Sequence, residues 1–181
     1  CFGISKIVVS TYQAASGAGK KGIEELELQE RRIVNPGVFS KQLFENVVPK
    51  IGDYLETGFS TEEMKMVNET HKILDDHSID IWPTTVRVPV LYGHSESIYI
   101  ETNSEFTLDK IFDCLVKSEN VRLADGDVTP LDIAGSDLTF VSRTRTFNNK
   151  SLLFWNVADN IRVGAATNAV RIMMKHMELN G

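Results

Sequence analysis

The stretch Val86-Arg87-Val88-Pro89-Val90-Leu91-Tyr92-Gly93-His94-Ser95-Glu96-Ser97 constrains this chain more than any other. Val86, Val88 and Val90 alternate with Arg87 and Pro89, so a strand here has one apolar face and one that carries a guanidinium. Gly93 ends the run. His94 then opens a second strand over residues 94–102, in which Ile98 and Ile100 sit between polar neighbours. Arg can hold a carboxylate through two parallel hydrogen bonds, and His moves a proton near neutral pH. Each also has a plainer reading: Arg87 as a strand residue with its stem packed on the sheet, His94 as a satisfied histidine at a strand start.

Around this stretch the chain reads as strands with irregularly interspersed helices. Residues 4–11, rich in Ile and Val, suggest a buried strand. Ile23 and Leu26 among Glu24, Glu25 and Glu27 suggest an amphipathic helix to about residue 32, broken by Asn35-Pro36-Gly37. Residues 43–51, with Pro49, read as a short edge strand. Ser60-Thr61-Glu62-Glu63 carries the capping-box pattern, so a helix is predicted from there to Leu74, burying Met64, Val67 and Ile73 or their neighbours.

Further on, the pattern predicts strands at 80–90 and 94–102 and a helix at 108–116. Turns fall at Asp125-Gly126-Asp127 and Ala134-Gly135-Ser136. Strands at 138–147 and 152–157 are joined through Asn148-Asn149-Lys150 as a hairpin. A last helix covers about residues 160–177, with a Met stripe that suits core or interface packing. The fold class this implies is α+β, with a mainly antiparallel or mixed sheet.

Its 181 residues suit a single domain with its own core. A net charge of −6 argues against a general nucleic-acid or anionic-membrane binder. No apolar run reaches the length of a membrane span, and the start lacks a signal-peptide layout, so a cytoplasmic protein is expected. Two cysteines, Cys1 and Cys114, are too few for a disulfide scaffold and show no metal-ligand spacing. A chain beginning Cys1-Phe2-Gly3, with no Met, is expected to be the C-terminal part of a longer protein.

Other groups could carry chemistry, each with a bland alternative. Glu62 and Lys65 lie three apart on the capped helix and project from one face, as a surface ion pair or as a grip on a zwitterionic or phosphorylated ligand. Gln13 ends a strand and could simply cap the following turn. Ser16-Gly17-Ala18-Gly19 could bring backbone N–H groups to an anion, or could be a mere connection; it is not a dinucleotide fingerprint.

Taken together, these pieces resemble the C-terminal catalytic and dimerisation domain of the aspartate-semialdehyde dehydrogenase family. The likeness rests on Val8-Val9-Ser10-Thr11-Tyr12-Gln13-Ala14-Ala15-Ser16-Gly17-Ala18-Gly19, on Asn46-Val47-Val48-Pro49-Lys50-Ile51, and on Thr61-Glu62-Glu63-Met64-Lys65-Met66. It continues through Val86-Arg87-Val88-Pro89 with Gly93-His94-Ser95-Glu96, and Ala158-Asp159-Asn160 with Gly164-Ala165-Ala166-Thr167-Asn168. The stretch between about residues 30 and 42 is shorter than the family's.

The resemblance implies a sheet with helices on one face, like the catalytic domain of the glyceraldehyde-phosphate-dehydrogenase-like dehydrogenases, filling residues 1–181. It implies NADPH-dependent reduction of L-aspartyl-4-phosphate to aspartate-semialdehyde and phosphate, on the route to lysine, threonine and methionine. His94 would be the general acid/base, Gln13 would orient the substrate, and Arg87 would anchor its α-carboxylate. Glu62 would take its ammonium, and Lys65 the phosphate. Ser16, Gly17, Ala18, Gly19 and Asn160 would face the nicotinamide side of NADP, no metal is implied, and the expected assembly is a homodimer.

The family's nucleophilic Cys, in an Asn-Cys-Ser/Thr sequence about two dozen residues before Gln13, has no counterpart in this chain, and neither has the Gly-rich nucleotide-binding domain. Cys1 reads as the first residue of a fragment, and Cys114 as packing. The chain alone is therefore expected to be inactive. Two alternatives stand beside this: a non-catalytic paralogue or dimerisation module of the same fold, and N-acetyl-glutamyl-phosphate reductase, whose acylated amine would leave Glu62 without a role.

Overall fold

The computed structural model describes residues 2–33 and 37–181. Its middle is β1 (Ile4–Gln13), whose β-branched residues favour the extended chain. β2 (Asp80–Arg87) runs parallel to β1 on one side and β3 (His94–Thr102) antiparallel on the other. β6 (Ser151–Ala158) pairs with β3 and β5 (Thr139–Arg145) with β6, both antiparallel; the short β4 (Val121–Leu123) lies parallel to β5. The strand order is β2-β1-β3-β6-β5-β4. The sheet is mixed, with antiparallel pairs in the majority, as the pattern implied.

A 3₁₀ turn (Ala15–Ala18) leads from β1 into α1 (Gly19–Glu30). α2 (Thr61–Leu74), α3 (Leu108–Lys117), the single turn α4 (Pro130–Ile133) and the C-terminal α5 (Thr167–Asn180) complete the helices. The capping box forms as written in the sequence. Ser60 Oγ accepts from Glu63 N, and Glu63 Oε2 accepts from Ser60 N at 2.7 Å. The second oxygen of Glu63 accepts from Thr85 N at 3.0 Å, so one carboxylate starts α2 and ties it to β2. Ser60 Oγ also lies 3.5 Å from Thr85 Oγ1.

Strand alternation puts Thr85 on the same sheet face as Leu152 and Phe154, which pack with Phe106, Ile111 and Leu115 of the α3 region. α2 and α3 therefore share one face. A second cluster, Ala15, Leu26, Leu43 and Val48, seats α1 against the connection to α2. The opposite sheet face is open over β1 and β2, where Trp82 is 52% exposed and Tyr12, its ring 5.4 Å from that of Trp155, is 36% exposed.

Four expectations change. The edge strand at 43–51 reduces to one bridge, Val48 with Arg87, because Pro49 has no N–H to continue the ladder. The strand expected to reach residue 90 stops at Arg87 before Pro89. α2 buries none of its residues fully, and Ile73 is 79% exposed; its hold on the sheet is the Glu63 cap, with Met64 and Val67 half-buried. The last helix opens with a wide π turn over Arg162–Ala166, and the Met stripe (Met173, Met174, Met177) lies exposed, so it is not core. The break at Asn35-Pro36 lies outside the described residues.

Replacing Ser60 by Ala should cost about 1–2 kcal/mol in urea unfolding, through the lost cap. An unchanged midpoint would mean the box does not hold α2 to the sheet.

Candidate functional site

β1 and β2 end where β3 and the segment after β6 begin, so their termini meet at one end of the sheet. Register pairs Gln13 with Arg87, placing the two side chains next to each other on the face that α2 covers. His94 is paired with Ala158, which brings Asp159 and Asn160 to the same edge. α2 starts there too. All ten side chains or loop residues singled out in the sequence gather at this end.

The residue that joins them is Ala14, fully buried. Its N–H donates to His94 Nδ1 at 3.1 Å, and its carbonyl accepts from Arg87 Nη1 at 2.6 Å. A buried guanidinium needs partners, and Arg87, only 6% exposed, spends one donor on Ala14 and keeps others for a ligand. Burial pulls the Arg87 pKa down, while the charge of Glu62 pulls it back up, so that carboxylate is in electrical reach. Glu62 Oε2 lies 3.9 Å from Lys65 Nζ in a part-exposed pair. Buried Gln13 completes the row.

Burial first, and then the positive charge of Arg87, push the His94 pKa down to about 4, against opposing pulls from the Gly93 backbone and Asp159. Nδ1 is occupied by the Ala14 amide, so the neutral ring carries its proton on Nε2. Nε2 faces Gly17, where a Cβ would come within 3.2 Å of it and within 2.6 Å of Arg87 Nη1. Gly17 is what lets both groups close on the loop.

Ser16 and Asn160 are bonded to each other: Asn160 Nδ2 lies 3.0 Å from Ser16 Oγ, and Oδ1 accepts from Gly93 N at 2.9 Å. Asn160 thus pins the turn before His94 to the turn after β1. Asp159, nearly fully buried, accepts from the N–H groups of Gly135, Ile161 and Arg162 and fixes the start of the last helical segment. Neither the Ala15–Ala18 turn nor α1 has a side-chain cap, and nothing fills the space beside Gly19 at φ +73°. The expected anion-binding backbone is not what the loop offers: the N–H groups of Ala15, Ser16, Gly17 and Gly19 donate to Val90 O, Leu91 O, Ala14 O and Ser16 O, so the loop presents small side chains and open space.

A cavity of about 320 Å³ adjoins Arg87. Its walls include Phe39, Ser40, Lys50 and Asp53, none of which the sequence reading singled out. Lys50 stands in a stretch that carries the resemblance and is detectable there; Phe39 stands in a segment with no motif to mark it. Cys114, half-buried, lines an apolar cavity with Ile4, Ile100 and Leu152, consistent with packing. α3 follows β3, and the far end of that strand is roughly 26 Å from His94 at the usual rise per residue. Cys1 lies outside the described residues. Among the described residues, no three His, Cys, Asp or Glu converge as a metal site, and no helix is long and apolar enough to cross a membrane.

With this geometry in hand, comparison with known proteins is specific. The family described as semialdehyde dehydrogenase, dimerisation domain, matches residues 1–163. Aspartate-semialdehyde dehydrogenase 2 of Vibrio cholerae is 42% identical over 180 residues, which cover 94% of this chain and 53% of that protein. The aspartate-semialdehyde dehydrogenase of Legionella pneumophila is 43% identical, with coverage of 94% and 53%. A crystal structure of aspartate semialdehyde dehydrogenase II from V. cholerae, complexed with ASA, superposes with a TM-score of 0.90 at 40% identity over 96% of this chain and 55% of that one. The chain spans about half the length of the relatives it matches.

A low His94 pKa has a sign that can be checked. Below pH 6.5 the unfolded histidine takes a proton that the folded one refuses until about pH 4, so its contribution to stability is present above 6.5 and lost as pH falls toward 4. NMR titration should find the His94 ring neutral at pH 6, and His94→Asn should flatten the decline in unfolding free energy over that window. A measured His94 pKa of 6.5 or higher would contradict the burial argument.

Proposed function

The chain belongs to the semialdehyde dehydrogenase dimerisation-domain family, and we propose that it supplies the substrate-anchoring and proton-handling half of an aspartate-semialdehyde dehydrogenase active site. The observation that carries the reading is the Ala14 peptide, which holds a carboxylate-binding guanidinium and an imidazole on its two polar atoms, opposite a carboxylate and a lysine at the start of α2. An α-amino acid with a phosphorylated side chain presents a carboxylate, an ammonium and a phosphate. Arg87, Glu62 and Lys65 provide one complement for each. The acyl carbon would then lie beside Gln13 and His94.

The reaction converts L-aspartyl-4-phosphate and NADPH to aspartate-semialdehyde, phosphate and NADP⁺. Arg87 binds the α-carboxylate through its free N–H groups, a planar grip that a lysine would not reproduce. Gln13 orients the carbonyl chain. His94 presents Nε2–H to the oxygen that gains negative charge when the carbonyl is attacked, and a nearby anion raises the proton affinity of the ring from its resting low value. Lys65, part-exposed, receives the departing phosphate. Ser16, Gly17, Ala18 and Gly19 would lie against the nicotinamide of NADPH, which when bound supplies hydride, and Asn160 would keep that loop in place through Ser16.

The thiol nucleophile would come from polypeptide outside these residues, because Cys114 lies far along the sheet from His94 and the sequence shows no Asn-Cys-Ser/Thr motif. Residues 1–181 would be the catalytic and dimerisation domain, ending in the helical segment at about 160–178, in a cytoplasmic protein. Two copies would pair through the open sheet face around Trp82 and Tyr12, where Val8 is exposed as well.

The test uses the full-length protein. Arg87→Lys should raise the KM for aspartate-semialdehyde at least tenfold with kcat changed much less, as loss of a bidentate anchor requires. His94→Asn should cut kcat by about two to four orders of magnitude while the substrate still binds. An unchanged KM in the first variant, or a near-normal kcat in the second, removes that residue from its role.

A further inference from the structure

α1 carries two polar side chains on its inner face that the mechanism above does not use. Glu25 is 5% exposed, and Gln29 follows one turn later. Glu25 Oε2 accepts from Val38 N at 2.6 Å, and its Oε1 accepts from Gln29 Nε2 at 3.1 Å. Gln29 Oε1 in turn accepts from the N–H groups of Leu43 and Phe44 at 2.7 and 2.9 Å. The segment 37–44 belongs to no helix or strand, and these two side chains take up three of its backbone donors. A carboxylate left unpaired at that depth would be costly, so its bonds specify where the segment lies. Leu43, fully buried against Leu26 and Ala15, seals the same contact.

What this clamp positions is Phe39. The ring edge lies so close to α1 that a Cβ on Gly22 would come within 3.2 Å of Phe39 Cζ. Gly22, Glu25, Leu26 and Gln29 therefore form one seat along α1, at helical spacing. The Phe39 ring meets Arg87, whose Cζ is 6.0 Å from the ring centroid, within the range in which a guanidinium is attracted to an aromatic face. Arg87 thus has a fixed carbonyl, Ala14 O, on one side and a fixed ring on the other, with the cavity at its open edge.

We propose that Phe39 is a positioning residue for Arg87, holding the guanidinium in the plane that receives a carboxylate, and that Glu25 and Gln29 hold Phe39 in turn. The inference rests on Arg87 being the carboxylate anchor. It adds a positioning element from the segment 37–44, outside the helices and strands.

The experiment measures kcat and KM for aspartate-semialdehyde in the full-length protein. Phe39→Leu keeps apolar bulk and removes the ring face; the KM should rise about three- to thirty-fold with kcat within about threefold. Phe39→Tyr, which retains the ring, should restore the KM. In an Arg87→Lys background, Phe39→Leu should add little, because the group it positions is gone. Gln29→Leu should raise the KM in the same direction as Phe39→Leu. A merely structural role would lower the melting temperature and act equally in both backgrounds, and that result overturns the proposal. If Arg87→Lys raises KM but Phe39→Leu does not, the positioning role alone fails; if Arg87→Lys has no effect, the anchor reading beneath it fails.

Discussion

The two polar atoms of the Ala14 peptide set the geometry of this molecule's working end. The carbonyl fixes Arg87, and the N–H fixes both the position and the tautomer of His94. Neither bond could form unless β1 and β2 ended where β3 begins, which the parallel register of β2 and the antiparallel register of β3 bring about. Ala15 and Ser16 continue the tie by donating to Val90 O and Leu91 O, so the segment leading from Arg87 toward His94 is stitched to the end of β1. Buried polar groups in this density are tolerable only when bonded, and that makes the arrangement a rigid one.

Around that peptide the remaining elements act as props. Glu63 starts α2 and grips β2 two residues from Arg87, which brings the neighbouring Glu62 within electrical reach of the guanidinium, with Lys65 paired to Glu62. Asn160 and Asp159 hold the loops at the other edge. Ion pairs such as Glu62 with Lys65 contribute little to stability at this exposure. In the proposed function their value is to place charge where a zwitterionic ligand would meet it. Cys114 lies at the opposite end of the sheet from His94, so this end gathers a guanidinium, an imidazole and a carboxylate without that thiol.

Much of this was legible in the residues, for physical reasons that differ by element. The capping box at Ser60 could be read because it is local: four residues contain both hydrogen bonds. The strands at 4–11, 94–102 and 152–157 could be read because β-branched and apolar residues recur at the right spacing. What stayed hidden depended on tertiary partners. β4 and α4 are too short to show a period. Among the glutamates of the amphipathic helix, nothing local distinguishes Glu25, which is buried against the loop, from Glu24 and Glu27, which are exposed. The Met stripe of α5 showed the correct helix but not its exposure, since periodicity reports an apolar side and not what covers it.

In the proposed function Arg87 receives a substrate carboxylate while His94 Nε2 faces the oxygen of the reacting carbonyl. A crystal structure of the full-length protein with aspartate-semialdehyde bound tests it most directly. The account requires the α-carboxylate at about 3 Å from the free guanidinium nitrogens of Arg87, with the Ala14 bonds intact and the ammonium toward Glu62. A ligand whose carboxylate lies on other residues, leaving Arg87 bonded to Ala14 alone, would contradict it.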